Sequence, residues 1–399
     1  MRILFIPNAG AVIPHLVPLM ALDSRIQARP HETAFLLPSR LHEPMRALCS
    51  RVLDIDYRAE SAFRDEMAAC GSFRPDIIVD DFSMVALLTA SVTETPRITI
   101  ARTGVFPGGV PMNASHRHSC ESLGEGRFDF VGNYGGWESF FGVRAPRDFA
   151  ELSDASVSII PGIPTIEVLP AAASDIRGYH FAGTLGVPDR VMATLHDHGV
   201  QTKPIIEQFL AKHHARQTAL FTLGSVMASR HAIQSCIIQM LESGISVIST
   251  IATGELAPHL SEMFLHVPRV PMDEVCSRVD MMVHHCGSGT YQYAINHRLP
   301  SICIGSGFYD RDDVAQRLAG LGVAAYLPFE EHDRDFAESF RQALSHVGSD
   351  GAWAEHARMK LDSLKRENDR VSVAFDVEAV LQEARVPRTQ HLAEADIDM

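Results

Sequence analysis

The sequence predicts an α/β protein with two domains, each built around a parallel sheet. Short apolar runs bounded by Gly or Pro alternate with helical stretches, which is typical of βα units that feed a parallel sheet. The pattern occurs as one series in each half, and 399 residues suffice for two cores. The predicted strands are Arg2 to Ile6, Thr33 to Leu37, Ile77 to Val79, Ile98 to Ile100, Ala219 to Leu223, Ile245 to Ile251, Met281 to His284 and Ser301 to Ile304.

The domain boundaries follow from the place where this pattern is interrupted. A polar stretch punctuated by Pro and Gly, from about Gly186 to Gln217, separates the two series. We therefore predict a first domain over residues 1–200, a linker over 201–217 and a second domain over 218–365. A terminal helix over 366–385 and a polar tail over 386–399 complete the chain.

The composition indicates a globular protein of the reducing cytoplasm. Hydrophobic residues make up 46% of the chain, charged residues 21%, and the net charge is -14. This acidic balance disfavours nucleic-acid binding, which needs clustered Lys and Arg. The first apolar run meets Pro7 too early for a signal or spanning segment, and nothing else reaches transmembrane length. The seven cysteines form no CxxC pair. We expect no nucleic-acid and no membrane partner.

The most informative segment is DMMVHHCGSGT, a predicted strand followed by a small-residue turn and a helix. Gly287 and Gly289 would let a ligand approach the main chain closely, and a helix N-terminus favours an anion. His285 would add a side-chain donor and Thr290 a hydroxyl. A turn that uses small residues for geometry alone stays open as an alternative. A dinucleotide-binding motif fits poorly, because Gln292 occupies the position of its third Gly.

This segment and the residues after it resemble the inverting family-1 glycosyltransferases, especially the bacterial natural-product and macrolide-type members. HCGSGT at residues 285–290, LPSICI at 299–304, Asp310-Arg311 and QRLAGLG at 316–322 follow the order of the C-terminal domain of that family. Upstream, HVPRVP at 266–271 resembles the element whose main chain contacts the nucleobase. FTLGS at 221–225 resembles the first strand and the phosphate-facing loop of that domain.

The resemblance implies a GT-B fold, in which two Rossmann-like domains face each other across a cleft and the C-terminal helix packs back on the first domain. It implies a UDP- or dTDP-sugar as co-substrate, no cofactor and no metal. Asp310 and Arg311 would contact the donor sugar. The residues implied in nucleotide and phosphate binding are Gly224, Ser225, Arg269, Val270, His285, Gly287, Ser288, Gly289, Thr290 and Tyr293.

A catalytic pair is predicted in the first half of the chain. PHLVP places His15 after the first strand, where the family has its catalytic His, and a neutral imidazole can accept a proton near pH 7. Asp80, with Asp81 next in line, follows a strand and would orient this ring. One direct displacement would invert the sugar carbon. The open alternatives are that His15 is one of twenty ordinary histidines and that Asp80 caps a turn.

Three residues depart from the family pattern. Tyr293 replaces a Glu that grips the ribose hydroxyls, and Gln292 takes its place if the alignment slips. Arg311 replaces a neutral amide, and its fork suits an anionic group, so one hypothesis is an acidic donor sugar. The alternative is that Arg311 pairs with Asp312 or Asp313 in solvent. Arg269 replaces a Gln near the base.

The acceptor prediction rests on an aromatic segment between the two series. Phe106, Trp137 and Phe140 would line a cleft for a small, largely apolar acceptor such as an antibiotic aglycone. A lipid acceptor and a non-catalytic scaffold that binds a nucleotide or a partner remain alternative functions. Neither the His213-His214 pair nor the group His116, His118 and Cys120 has the second half of a tetrahedral metal site. The oligomeric state is left open, a homodimer included.

Overall fold

A computed structural model describes most of the chain. Contacts divide it into two units, the first with the described residues up to Val187 and from Val371 onward, the second from Pro188 to Arg370. No helix of the described part is both long and apolar enough to cross a membrane. The described residues are 1–8, 12–26, 30–49, 51–55, 59–81, 83–102, 157–169, 178–188, 191–192, 194, 199–223, 230–306, 309–328, 336–348 and 351–386.

The first unit contains a seven-stranded parallel sheet with the order β3-β2-β1-β4-β5-β6-β7. Its strands are β1 (Arg2–Ile6), β2 (Glu32–Leu37), β3 (Val52–Asp54), β4 (Ile77–Asp81), β5 (Arg97–Ile100), β6 (Val157–Pro161) and β7 (Tyr179–Gly183). The helices that follow the early strands are α1 (Val12–Ile26), α2 (His42–Arg46), α3 (Ala59–Phe73) and α4 (Met84–Thr93).

The second unit contains a six-stranded parallel sheet with the order β10-β9-β8-β11-β12-β13. Its strands are β8 (Thr218–Thr222), β9 (Ser246–Ser249), β10 (Phe264–His266), β11 (Met281–His284), β12 (Ser301–Ile304) and β13 (Ala324–Leu327). The helices are α5 (Gly199–Lys212), α6 (Arg230–Glu242), α7 (Pro258–Ser261), α8 (Met272–Cys276), α9 (Ser288–Asn296), α10 (Tyr309–Gly320), α11 (Phe336–Val347) and α12 (Ala352–Ala374). The last residues of α12 belong to the first unit, as does the following helix, α13 (Val377–Ala384).

Both sheets reverse their strand order at one point, and this point fixes where a ligand can bind. In the first unit the order turns back between β1 and β4, which pair at Ile6 and Asp80. In the second unit it turns back between β8 and β11, which pair at Thr222 and His284. Loops leave such a point in opposite directions, and the crevice beyond the carboxyl ends of the strands is open to ligands.

The strands form because their residues are apolar on both faces, as a parallel sheet covered by helices on both sides requires. In the first unit, Ile6 and Ile78 pack with Phe63 of α3 and Leu88 of α4. In the second unit, Phe221, Val283 and Ile302 pack with Ile237 of α6 and Phe340 of α11. The two cores hold the strand ends in fixed positions.

The predicted fold class is confirmed, and the eight predicted strands are present with shifts of a few residues at their ends. The sequence reading missed β3, β6, β7, β10 and β13. Four of these, β3, β7, β10 and β13, are the edge strands of the two sheets. The stretch predicted as a linker contains a helix, α5, whose Ile206 and Leu210 are buried.

The last helix, α13, packs within the first unit against α1, β5 and β6. Two ion pairs accompany this packing: Nε2 of His31 lies 2.7 Å from Oε1 of Glu378, and Nε2 of His180 lies 2.7 Å from Oε2 of Glu383. Arg25 of α1 lies over the ring of Phe375 at 5.3 Å from its centroid.

A buried polar cluster lies between the sheet and α3 and α4 in the first unit. Asp80 is fully buried and accepts hydrogen bonds from Nε and Nη2 of Arg97 at 2.7 and 3.0 Å. Near this pair, Glu66 accepts a hydrogen bond from the hydroxyl of Thr89 at 2.8 Å. Burial raises the pKa of Glu66 to about 8, so the folded protein keeps this carboxyl protonated at neutral pH.

The first prediction concerns the pH dependence of stability. Between about 4.5, the ordinary pKa of this carboxyl, and about 8, the unfolded chain has lost a proton that the folded chain keeps, so stability falls as the pH rises. Glu66→Gln removes this contribution and keeps an acceptor for Thr89. We expect the variant to match the wild type at pH 4 and to exceed it at pH 8 in denaturant titrations. The exposed control Glu43→Gln should follow the wild type, and equal curves for all three proteins would contradict the assignment.

Candidate functional site

In the first unit, the switch point brings His15 together with Asp81. His15 lies at the end of the first turn of α1, and its Nδ1 is 2.9 Å from Oδ2 of Asp81, the last residue of β4. The carboxylate holds the proton on Nδ1, which leaves the lone pair of the neutral ring on Nε2. The side chain of His15 is 32% exposed, so the ring is accessible from solvent.

The predicted partner Asp80 is therefore corrected to Asp81. Successive side chains of a strand point to opposite faces of the sheet. Asp80 shares the face of Ile78, toward α3 and α4, and its oxygens are bound by Arg97, Thr99 and the N–H of Ser83. Asp81 shares the other face, on which α1 packs. The alternation of side chains along a strand predicts that the two carboxylates lie on opposite faces of the sheet. The sequence does not tell which of these faces α1 covers.

In the second unit, the segment after β11 forms a turn that the backbone geometry defines closely. His284 is fully buried and its Nδ1 accepts a hydrogen bond from the N–H of Cys286 at 3.1 Å. Cys286 has a φ of 56°, which is uncommon outside Gly and Asn. Gly287 then takes the N-cap position of α9 without a side-chain cap. The chain thus turns sharply and exposes the start of the helix.

The first amides of α9 are only partly available to a ligand. The N–H groups of Thr290 and Tyr291 both donate to the carbonyl oxygen of Gly287, at 2.8 and 3.1 Å. Gly289 is exposed, and no atom of the described residues would lie within 4 Å of a Cβ placed on it. The amide proton of Thr290 is thus already bonded, which leaves its hydroxyl, the group predicted from the sequence, as its candidate contact. Open space remains over Gly289, and Ser288 and Thr290 are half-buried.

His285 lies against this turn. The residue is 5% exposed, and its Nε2 is 3.0 Å from the position that a Cβ on Gly287 would take. Its Nδ1 is buried and has no hydrogen-bond partner among the described residues. Burial first, and then the charge of Arg311, lowers the pKa of His285 to about 3, so the ring is neutral at physiological pH. It can offer one N–H donor but no positive charge.

The acidic neighbours of Arg311 on α10 are directed elsewhere. Asp312 is fully buried and accepts hydrogen bonds from the N–H and hydroxyl of Ser306, at 2.8 and 3.3 Å. Asp313 is 4% exposed and pairs with Arg317 one turn further along the helix. Both carboxylates are thus buried, whereas the alternative partner for Arg311 was expected in solvent. Asp310 lies in the first turn of the same helix.

The residues predicted for the nucleoside lie on α9 and in the segment just before α8. Tyr293 of α9 and Val270 both pack against the apolar cluster that includes Val275 and Ala294. Arg269 is exposed. Gln292 is 5% exposed and its Nε2 has no hydrogen-bond partner among the described residues. The structure thus brings Tyr293 and Val270 to one apolar cluster, and it buries Gln292.

Several predicted residues lie outside the part of the chain that the structure describes. These are the phosphate-loop residues Gly224 and Ser225 and the acceptor residues Phe106, Trp137 and Phe140.

One group of side chains has the composition of a soft-metal site. One ligand atom each from His284, Cys286 and Cys303 lies within 4.8 Å of the others, and all three residues are buried. However, Nδ1 of His284 already accepts the Cys286 N–H, so the proton of the neutral ring is on Nε2. A metal at either nitrogen would require the loss of that hydrogen bond or of that proton. The donor set therefore fits a metal poorly as it is arranged.

The chain is similar to known proteins in sequence and in fold. Residues 239–379 match the family model described as "Erythromycin biosynthesis protein CIII-like, C-terminal domain". The aklavinone 7-beta-L-rhodosaminyltransferase of Streptomyces galilaeus is 24% identical over 297 residues, which are 67% of this chain and 59% of that protein. The chain spans about half the length of the curated relatives it matches.

Among solved structures, the glycotransferase of kitacinnamycin has a TM-score of 0.69 at 18% identity and covers 97% of this chain and 99% of its own. The glycosyltransferase VinC, solved with dTDP, has a TM-score of 0.66 at 14% identity and covers 96% and 99%. The two parallel sheets define a protein with the GT-B fold. The chain carries an EryCIII-like C-terminal domain, and the predicted resemblance to the antibiotic-type glycosyltransferases is confirmed.

The second prediction compares the two glycines of the turn. In Gly287→Ala the new methyl group would press on the buried His285 ring, so we expect a loss of about 1 kcal/mol. In Gly289→Ala the methyl group would meet open space, and the helix start should be unchanged or slightly more stable. Denaturant titration of both variants measures the difference. Equal stability of the two variants would mean that the His285 ring does not pack on Gly287.

Proposed function

We propose that the protein is an inverting glycosyltransferase that needs no metal and transfers a sugar from a UDP or dTDP carrier to a small, largely apolar acceptor. The observation that carries the proposal is the pairing of His15 with Asp81 at the switch point of a Rossmann-like sheet. The structural neighbour VinC, solved with dTDP, supports a nucleotide-linked donor, and the aklavinone rhodosaminyltransferase supports a small-molecule acceptor.

In this proposal His15 is the general base. Nε2 of the neutral ring removes the proton of the acceptor hydroxyl as its oxygen attacks the anomeric carbon. The ring becomes positively charged, and Asp81, which holds Nδ1–H at 2.9 Å, stabilises that charge. The bond between the anomeric carbon and the phosphate oxygen breaks in the same step, so the configuration at that carbon is inverted.

The diphosphate would be held in the second unit. The open start of α9 offers the Gly289 amide and the dipole of the helix, and the neutral His285 offers one N–H donor. These groups stabilise negative charge that grows on the leaving phosphate. Asp310 would contact a sugar hydroxyl, and Tyr293 and Val270 would lie beside the nucleoside. In this proposal His15 and Asp81 supply the base, and the start of α9 with His285 supplies the anion site.

The third prediction separates the two neighbouring carboxylates. Asp81→Asn removes the group that stabilises charged His15, so kcat should fall by roughly tenfold or more with unchanged stability. Asp80→Asn breaks the buried pair with Arg97, so stability should fall by about 3 kcal/mol. Transfer assays with donor and acceptor libraries, and melting curves, measure both effects.

His15→Ala completes this series. It should abolish transfer while nucleotide binding is retained, because the proposed anion site is built from the other unit. Undiminished transfer by His15→Ala would refute the base assignment, and a catalytic loss confined to Asp80→Asn would restore the original pairing.

The fourth prediction concerns the donor. A saturating nucleoside diphosphate should stabilise the folded protein by about 2.7 kcal/mol at a hundred times its Kd. In a thermal-shift screen we expect UDP or dTDP to raise the melting temperature both with and without EDTA, with ADP as the control nucleotide. Gly289→Ala should reduce the shift, because its methyl group enters the space where the ligand approaches the main chain. No shift with either nucleotide would favour a scaffold, and a shift that EDTA removes would refute metal independence.

A further inference from the structure

The proposed anion site lacks a formal positive charge on its two best-placed groups. His285 is neutral because burial lowers its pKa to about 3, and a backbone amide carries only a partial charge. A nucleoside diphosphate brings at least two negative charges to this place. Without a metal, a side chain with a permanent charge is needed to balance them.

The sheet brings such a side chain to the turn. β11 and β12 are neighbours that pair at His284 and Cys303, so α9 and α10 begin at adjacent carboxyl ends. Arg311 lies in the first turn of α10 and is half-buried. Its positive charge contributes, after burial, to the lowered pKa of His285, in line with the adjacent starts of the two helices. A cation in the first turn of a helix opposes the helix dipole, and a bound anion would reverse that cost.

The described surroundings of Arg311 fit this function. Asp312 and Asp313, the next residues on α10, bond to Ser306 and Arg317 and so hold the helix start and its second turn in place. Independent of Arg311, the nearly buried His285 presents its ring to the N-cap of α9 and has an Nδ1 without a partner in the described chain. The Nε2 side of the His285 ring thus faces the N-cap of α9, and α10 with Arg311 begins at the neighbouring strand end.

We propose that Arg311 binds the diphosphate of the donor and supplies the positive charge that the neutral His285 and the α9 amides lack. The inference rests on the proposed function and goes beyond it by assigning the charge to one residue. A guanidinium is always protonated and can form two parallel hydrogen bonds to phosphate oxygens. It would therefore hold the donor and stabilise the leaving group over the whole working pH range.

The test is calorimetric titration of the full chain with UDP, dTDP and the corresponding free nucleosides. Arg311→Gln should weaken diphosphate binding by roughly tenfold or more, with free-nucleoside binding unchanged, because only the diphosphate carries the charge. Arg311→Lys should bind the diphosphate more tightly than Arg311→Gln and less tightly than the wild type, since it keeps the charge but loses the two parallel hydrogen bonds. Arg278→Gln, which removes an exposed arginine of the same unit, is the matched control and should bind like the wild type.

The outcomes separate this inference from the proposed function. If the wild type binds no nucleoside diphosphate, both fall. If it binds and Arg311→Gln binds equally well, only the Arg311 assignment falls. A variant that loses nucleoside and diphosphate together would indicate damage to the fold and overturn the assignment, which circular dichroism melting would corroborate. Unchanged UDP affinity with a selective loss of UDP-glucuronic acid would also overturn it and favour a contact to a sugar carboxylate.

Discussion

Parallel strand pairing is the constraint on which the rest of this structure depends. Because every strand of each sheet runs in the same direction, every carboxyl end and every following helix N-terminus lies at the same edge. Polar residues that follow the ends of neighbouring strands therefore meet at this edge even when they are far apart in sequence. His15 and Asp81 are 66 residues apart and meet at this edge of the first sheet. The start of α9 and Arg311 meet at the same edge of the second sheet.

Burial then decides how these groups ionise. His285 is neutral because its ring is removed from water and stands near a fixed cation. Glu66 is protonated because burial penalises its charged form, even though Arg97 lies close by. Asp80, in contrast, is fully buried with two hydrogen bonds from Arg97. Burial thus gives a neutral donor in the second unit, whereas in the first unit the buried Asp80 is paired with Arg97.

The two carboxylates at the end of β4 show how structure and chemistry divide within one strand. Asp80 faces α3 and α4 and ties the strand to β5 through Arg97. Asp81 faces α1 and orients His15. Exchanging the two functions would require a one-residue shift of register, which would also turn every side chain of the strand to the opposite face. The site thus inherits its geometry from the core.

The sequence by itself determined the fold class, the central strands and the turn before α9, because buried parallel strands read as continuous apolar runs and tight turns need small residues. It also determined that His15 follows the first strand. Only the tertiary structure decided that Asp81 holds this ring, since the face that α1 covers depends on packing. Arg311 acts on His285 for the same reason, because pairing of β11 with β12 joins two helix starts. Side-chain partners across a sheet depend on register and packing, and neither is written in the local sequence.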